Sequence, residues 1–140
     1  MCLRFWTFSK KLIEYGFNVV ASDLIDRGYG VSGIDFLKWD NLYDGDIITN
    51  PPYKYALEFV EHALKIIPCG RKVIMFLKLQ FLEGQERRRL FDTNQLAKVY
   101  VFSKRQQCGK NGVFSGSSAI AYGWFVFIKN YNDKPIIEWI

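Results

Sequence analysis

The chain has 140 residues, 49% of them hydrophobic and 17% aromatic, and a formal net charge of +5. This composition supplies one domain with a real core and excludes a disordered chain, and no apolar run approaches the roughly 18 to 20 residues of a membrane span. The opening Met1-Cys-Leu-Arg-Phe-Trp6 lacks the arrangement of a secretory signal, so a single cytoplasmic domain over residues 1–140 is expected, with a surface suited to a polyanion.

Ser9-Lys-Lys-Leu-Ile-Glu-Tyr15, followed by Gly16, predicts a short helix with a serine cap and a glycine stop. Residues 17–22 read as strand, Arg27-Gly-Tyr-Gly30 as a turn, and residues 31–37 as a second strand. A third strand is expected at 46–49. After it, Ala56, Leu57, Phe59, Val60, Ala63, Leu64 and Ile67 fall on one helical face, with Glu58, Glu61, His62 and Lys65 on the solvated face. Pro68 and Gly70 end that helix. Residues 72–79 form a nearly continuous apolar strand, 85–91 a short basic helix, and 98–103, 119–129 and 136–140 the remaining strands. Strands alternating with helices, then strands without helices between them, predict an α/β fold with a mostly parallel sheet and an antiparallel C-terminal edge. Cys2, Cys69 and Cys108 are odd in number and widely spaced, which indicates neither a disulfide framework nor a zinc site.

Ligands of such sheets sit beyond the carboxyl ends of the strands. Three groups fall there: Asp23, Asp35 and Asn50-Pro-Pro-Tyr53. Proline lacks an N–H and fixes φ, so Pro51 and Pro52 cannot continue a ladder and form a stiff, extended exit. A rigid polar turn at a strand mouth points to a site; the plainer reading is a loop that stops a strand and starts a helix.

With Asn50-Pro-Pro-Tyr53 after a strand, the acid ending Val19-Val-Ala-Ser-Asp23, and Gly33-Ile-Asp-Phe-Leu37, residues 9–140 resemble the class I S-adenosylmethionine-dependent methyltransferases. The branch is the one that methylates the exocyclic amino group of adenine in DNA, including small phage-encoded members. The resemblance implies a Rossmann-like methyltransferase fold, S-adenosylmethionine as cofactor and double-stranded DNA as partner. By the same resemblance, the Asn50 side-chain oxygen and the Pro51 carbonyl accept the two hydrogens of the adenine amino group. That redirects a lone pair otherwise delocalised into the ring, and aims it at the methyl group. Pro52 helps hold that carbonyl, and Tyr53 stacks on a flipped base. Asp23 would grip the cofactor ribose, Asp35 would accept from the cofactor's adenine amino group and Phe36 would pack on its ring. The bland alternatives are a turn aspartate for Asp23 and ordinary core for Phe36.

The family's glycine-rich loop between first strand and first helix has no counterpart here, because Cys2-Leu-Arg-Phe-Trp-Thr-Phe8 runs on without a glycine before Gly16. Residues 3–8 have strand-like composition and are expected to fill the first-strand place, bringing bulky rings to where the cofactor tail should lie; a shortened or altered start, with the loop upstream, accounts for the same departure. Weak or absent cofactor binding is expected. The alternatives are a catalytically dead DNA-binding remnant, or an enzyme acting on RNA guanine or protein glutamine. Arg87-Arg-Arg89 and Lys104-Arg105 are candidates for phosphate contacts or plain surface, His62 reads as solvated, and the loop 106–118 is the expected reader of DNA sequence.

Overall fold

The computed structural model of the chain describes residues 5–104 and 120–140. Its elements are α1 (Phe5–Glu14), β1 (Ile47–Thr49), α2 (Ala56–Ile66), β2 (Lys72–Lys78), α3 (Arg88–Asp92), β3 (Leu96–Val101), β4 (Tyr122–Ile128) and β5 (Ile136–Trp139), with short 3-10 turns between some of them. The five strands form one sheet in the order β1-β2-β4-β3-β5. β1 is parallel to β2 and β5 to β3, whereas β4 runs antiparallel to both β2 and β3. Four strands therefore share one direction, and the one reversed strand, β4, belongs to the C-terminal, helix-free part of the chain while lying in the middle of the sheet.

Strand alternation sorts the two faces. Val73, Met75 and Leu77 alternate along β2, and Phe127 and Phe125 lie opposite the first two on β4; all five are buried. Onto this face α2 lays Ala56, Val60, Ala63 and Leu64, and the residue after it, Ile67. Their spacing of four, three, one and three keeps them on one side of a helix of 3.6 residues per turn. Each large apolar side chain buried here contributes about 1.5 to 3 kcal/mol, so this face is the main core. The other face is aromatic: Phe76 stacks on Tyr122 at 5.3 Å and meets Trp124 edge-on at 5.1 Å. Phe8 of α1 reaches Trp124 at 5.3 Å, so helices cover both faces. Within β4, Gly123 is required by proximity, since a Cβ there would stand 2.7 Å from the Tyr100 carbonyl oxygen.

Three expectations need correction. Of the expected first strand at 3–8, the described residues 5–8 are helical, as α1 begins at Phe5; Phe8, Ser9 and Leu12 turn toward the protein at helical spacing. Ser9 is consequently not a cap but a buried residue inside the helix. Residues 17–22 and 31–37 do not form strands either. Only an isolated parallel bridge joins Ser22 to Val31, and Phe36–Lys38 is a 3-10 turn. A strand is stable only with a ladder partner; the sheet ends at β1, neither segment reaches it, and Phe17, Val20 and Val31 stay exposed. The expected loop reader of DNA sequence, 106–118, lies outside the described residues, as does Arg105. Among the described residues, no helix is long and apolar enough to cross a membrane.

Candidate functional site

β1 is three residues long and pairs with Val73, Ile74 and Met75. Its ladder stops at Thr49 because the next residues cannot sustain it: Asn50 is half-buried, Pro51 buried and Pro52 exposed. Pro52 takes φ −57° and ψ 120° and caps the 3-10 turn Tyr53–Tyr55, where the Tyr55 N–H donates to the Pro52 carbonyl at 2.8 Å. The turn runs directly into α2. Asn50 and Pro51 thus lie between a half-buried strand and a packed helix, at the carboxyl end of β1.

Tyr53 turns inward from that exit. Its ring lies 5.8 Å from Tyr122, the Lys78 ammonium sits 5.0 Å from its centroid, and its hydroxyl is buried. The inner edge of the ring is thereby fixed by the aromatic face of the sheet. Beside it opens a cleft of about 450 Å³ lined by Tyr53, Lys54, Leu77, Lys78, Phe81 and Arg87, among others. The cleft sits where β2 ends and the 3-10 turn Leu79–Leu82 begins, and its volume lies within the range of about 300 to 1,000 Å³ usual for small-molecule sites.

The other expected site residues come together elsewhere. The Ile34 N–H donates to the Asp23 carbonyl at 3.1 Å, which brings Asp23 beside Asp35. Both carboxylates are already engaged. Asp23 accepts from the Ile25 N–H at 3.0 Å and from Arg27 Nε at 2.9 Å, one oxygen for each. Asp35 caps the turn at Phe36–Lys38, accepting from the Leu37 N–H at 3.2 Å, and its second oxygen lies 3.5 Å from Lys38 Nζ. Phe36 stacks on Phe59 of α2 at 5.1 Å and meets His62 edge-on at 5.2 Å.

A bidentate grip on a ribose needs free carboxylate lone pairs, and an adenine needs an open ring face. As they sit, Asp23 has donors on both oxygens, Asp35 is divided between a cap and a lysine, and Phe36 is held by α2. Each of these oxygens still has a lone pair to offer, and the pairs with Arg27 and Lys38 are solvent-exposed, so a ribose or an adenine amino group would meet acceptors that are partly engaged. Among the described residues, no cluster of His, Cys, Asp and Glu is suited to a metal ion.

Several surface groups also differ from the sequence reading. His62 is half-buried rather than solvated, and its Nε2 lies 2.8 Å from the Trp39 carbonyl; a carbonyl only accepts, so Nε2 carries the proton. The basic run is committed: Arg87 donates to the carbonyls of Phe81, Gln80 and Glu83, Arg88 pairs with Asp92 at 2.7 Å, and Arg89 with Glu61 at 3.1 Å. Lys54 and Lys78, which sequence reasoning missed, occupy the cleft instead. The available signal was a lysine at each end of the apolar run Val73 to Leu77, next to the strand that leads to Asn50.

No protein-family model matches the chain, and no curated protein matches it. Among solved structures, the chain shows a likeness to the crystal structure of the M1.HpyAVI-SAM complex, with 16% identity and a TM-score of 0.38. The match covers 71% of this chain and 57% of that one, so the chain spans little more than half the length of that protein.

Proposed function

We propose that the chain is an adenine-specific DNA methyltransferase in which Asn50-Pro-Pro-Tyr53 receives the target amino group, with Asp23, Asp35 and Phe36 on the cofactor side and no glycine before Gly16 among the described residues. The observation that supports this reading is the position of Asn50-Pro-Pro-Tyr53: it leaves β1 at the carboxyl edge of the sheet, rigid on both sides, with Tyr53 lining the adjoining cleft. An adenine amino group is a planar, weak nucleophile carrying two hydrogens. Two acceptors held at fixed spacing, the Asn50 side-chain oxygen and the Pro51 carbonyl, take those hydrogens and pull the nitrogen toward tetrahedral geometry. S-adenosylmethionine supplies the methyl group in this chemistry.

A second reading is a DNA-binding remnant without transfer, for which the local partners already on Asp23 and Asp35 speak. Transfer of labelled methyl groups to DNA, at millimolar S-adenosylmethionine to offset weak binding, separates the two. The expected result is label on the adenine amino group, reduced about a hundredfold or more in Asn50→Ala, since losing one transition-state acceptor costs roughly 3 kcal/mol. DNA binding with no label on adenine would leave only the remnant.

A further inference from the structure

We infer that Lys54 and Lys78 form a phosphate-binding pair in the cleft beside Tyr53 and hold a backbone phosphate of the DNA nucleotide whose base is presented to Asn50; this rests on the reading of Asn50 given above. The arginines that the sequence singles out are spent on the protein itself. Arg87 closes the loop carbonyls of residues 80–83, and Arg88 and Arg89 face Asp92 and Glu61. Neither Lys54 nor Lys78, by contrast, has a carboxylate within salt-bridge distance among the described residues. Each ammonium instead stands near a tyrosine ring, Lys54 at 4.4 Å from the Tyr55 centroid and Lys78 at 5.0 Å from that of Tyr53.

Lys78 is half-buried and its ammonium faces the Tyr53 ring, with no carboxylate within salt-bridge distance among the described residues. Such a group gains most from an anion. Glu83 also lines the cleft, as the single carboxylate against Lys54, Lys78 and Arg87, which leaves the wall positive. Leu77, Phe81 and Ala56 give the same cleft an apolar floor. Positive wall, apolar floor and an aromatic ring at one side match the phosphate, sugar and base of one nucleotide. A lysine acts on phosphate as a point charge, without base preference, so the pair would position the strand and leave discrimination to Asn50.

The test is the salt dependence of binding of the full chain to a short duplex with one unpaired adenine, followed by fluorescence anisotropy. Lys54→Gln and Lys78→Gln should each weaken binding about fivefold to tenfold and lower the slope of log K against log salt by about 0.9, the value for one lost phosphate contact on duplex DNA. Lys78→Arg keeps the charge and should keep the slope, which separates phosphate binding from packing at the end of β2. Arg88→Gln and Arg89→Gln should change the slope little. Unchanged slopes in the two lysine variants, slopes that fall only in the arginine variants, no binding by the native chain, or tighter binding to RNA of the same sequence would each overturn the assignment. Because the slope carries no base information, a lysine-dependent slope without adenine preference would sink the Asn50 reading while sustaining the phosphate pair, and the converse result would do the opposite.

Discussion

Asn50 and Asp23 both follow extended backbone and both carry a side-chain oxygen, yet their surroundings give them different work. Asp23 is held within its own turn by the Ile25 N–H and Arg27. Asp23→Ala should therefore act on stability, by about 1 kcal/mol, as expected for one local hydrogen bond and one exposed ion pair. Chemical denaturation measures this. Loss of cofactor affinity at unchanged stability would instead restore a ribose-binding role. The end of the strand before Asn50 was legible because two prolines forbid ladder and helix at that place whatever the tertiary context. The engagement of Asp23 and Asp35 was not, since whether an aspartate pairs with an arginine four residues on or with a lysine three residues on depends on turn geometry that periodicity does not encode. Lys54 and Lys78 were hidden for another reason: a lone lysine announces nothing until the fold shows what lies opposite it.

Helix ends were easier to read than strand partners. Gly16 closes α1 with φ +85°, its N–H donating to Ile13 at 2.9 Å and that of Phe17 to Leu12 at 3.0 Å, the paired arrangement of a Schellman stop. Space around it is open, so Gly16→Ala should cost about 1 kcal/mol through backbone conformation alone. Gly123 is the opposite case: its conformation is ordinary strand, but an added Cβ meets Tyr100 and Leu79, and Gly123→Ala should cost about 1 to 3 kcal/mol by overpacking. Denaturation midpoints rank the two; an equal or smaller loss at Gly123 would contradict the close approach of β3 and β4. At the sheet's far edge, Lys98 hydrogen-bonds Glu138 of β5 at 2.8 Å, which raises its pKa above the ordinary lysine value. A raised folded pKa means stability that is fully present below the unfolded value, about 10.4, and is lost as pH rises through the folded one. The stability gap between the native chain and Glu138→Gln should accordingly close above that pH, and a gap constant from neutral to strongly alkaline pH would argue against the pair. Residues 17–22 and 31–37 misled because alternation says that a segment suits a strand, not that a neighbour exists to receive it.

At the scale of the molecule, the alternation of strand and helix was enough for a mixed α/β sheet, and the helix-free C-terminal strands were enough for its reversal. The insertion of β4 between β2 and β3 was not legible, because it is decided by pairing across a long stretch of chain. Neither was the turn of Tyr53 toward Tyr122, which follows from that insertion. What the sheet order does is bring the end of β2, with Lys78, beside the exit from β1, with Asn50 and Tyr53. The claim that this junction receives an adenine through its amino group is tested most directly by competition between two duplexes that differ in one unpaired nucleotide, deoxyadenosine in one and deoxynebularine, the same purine without the amino group, in the other. The native chain should prefer deoxyadenosine by about tenfold, the effect of roughly 1.4 kcal/mol from hydrogen bonds lost at a preorganised acceptor pair, and Asn50→Ala should erase most of that preference. Equal affinity of the native chain for the two duplexes would contradict the claim.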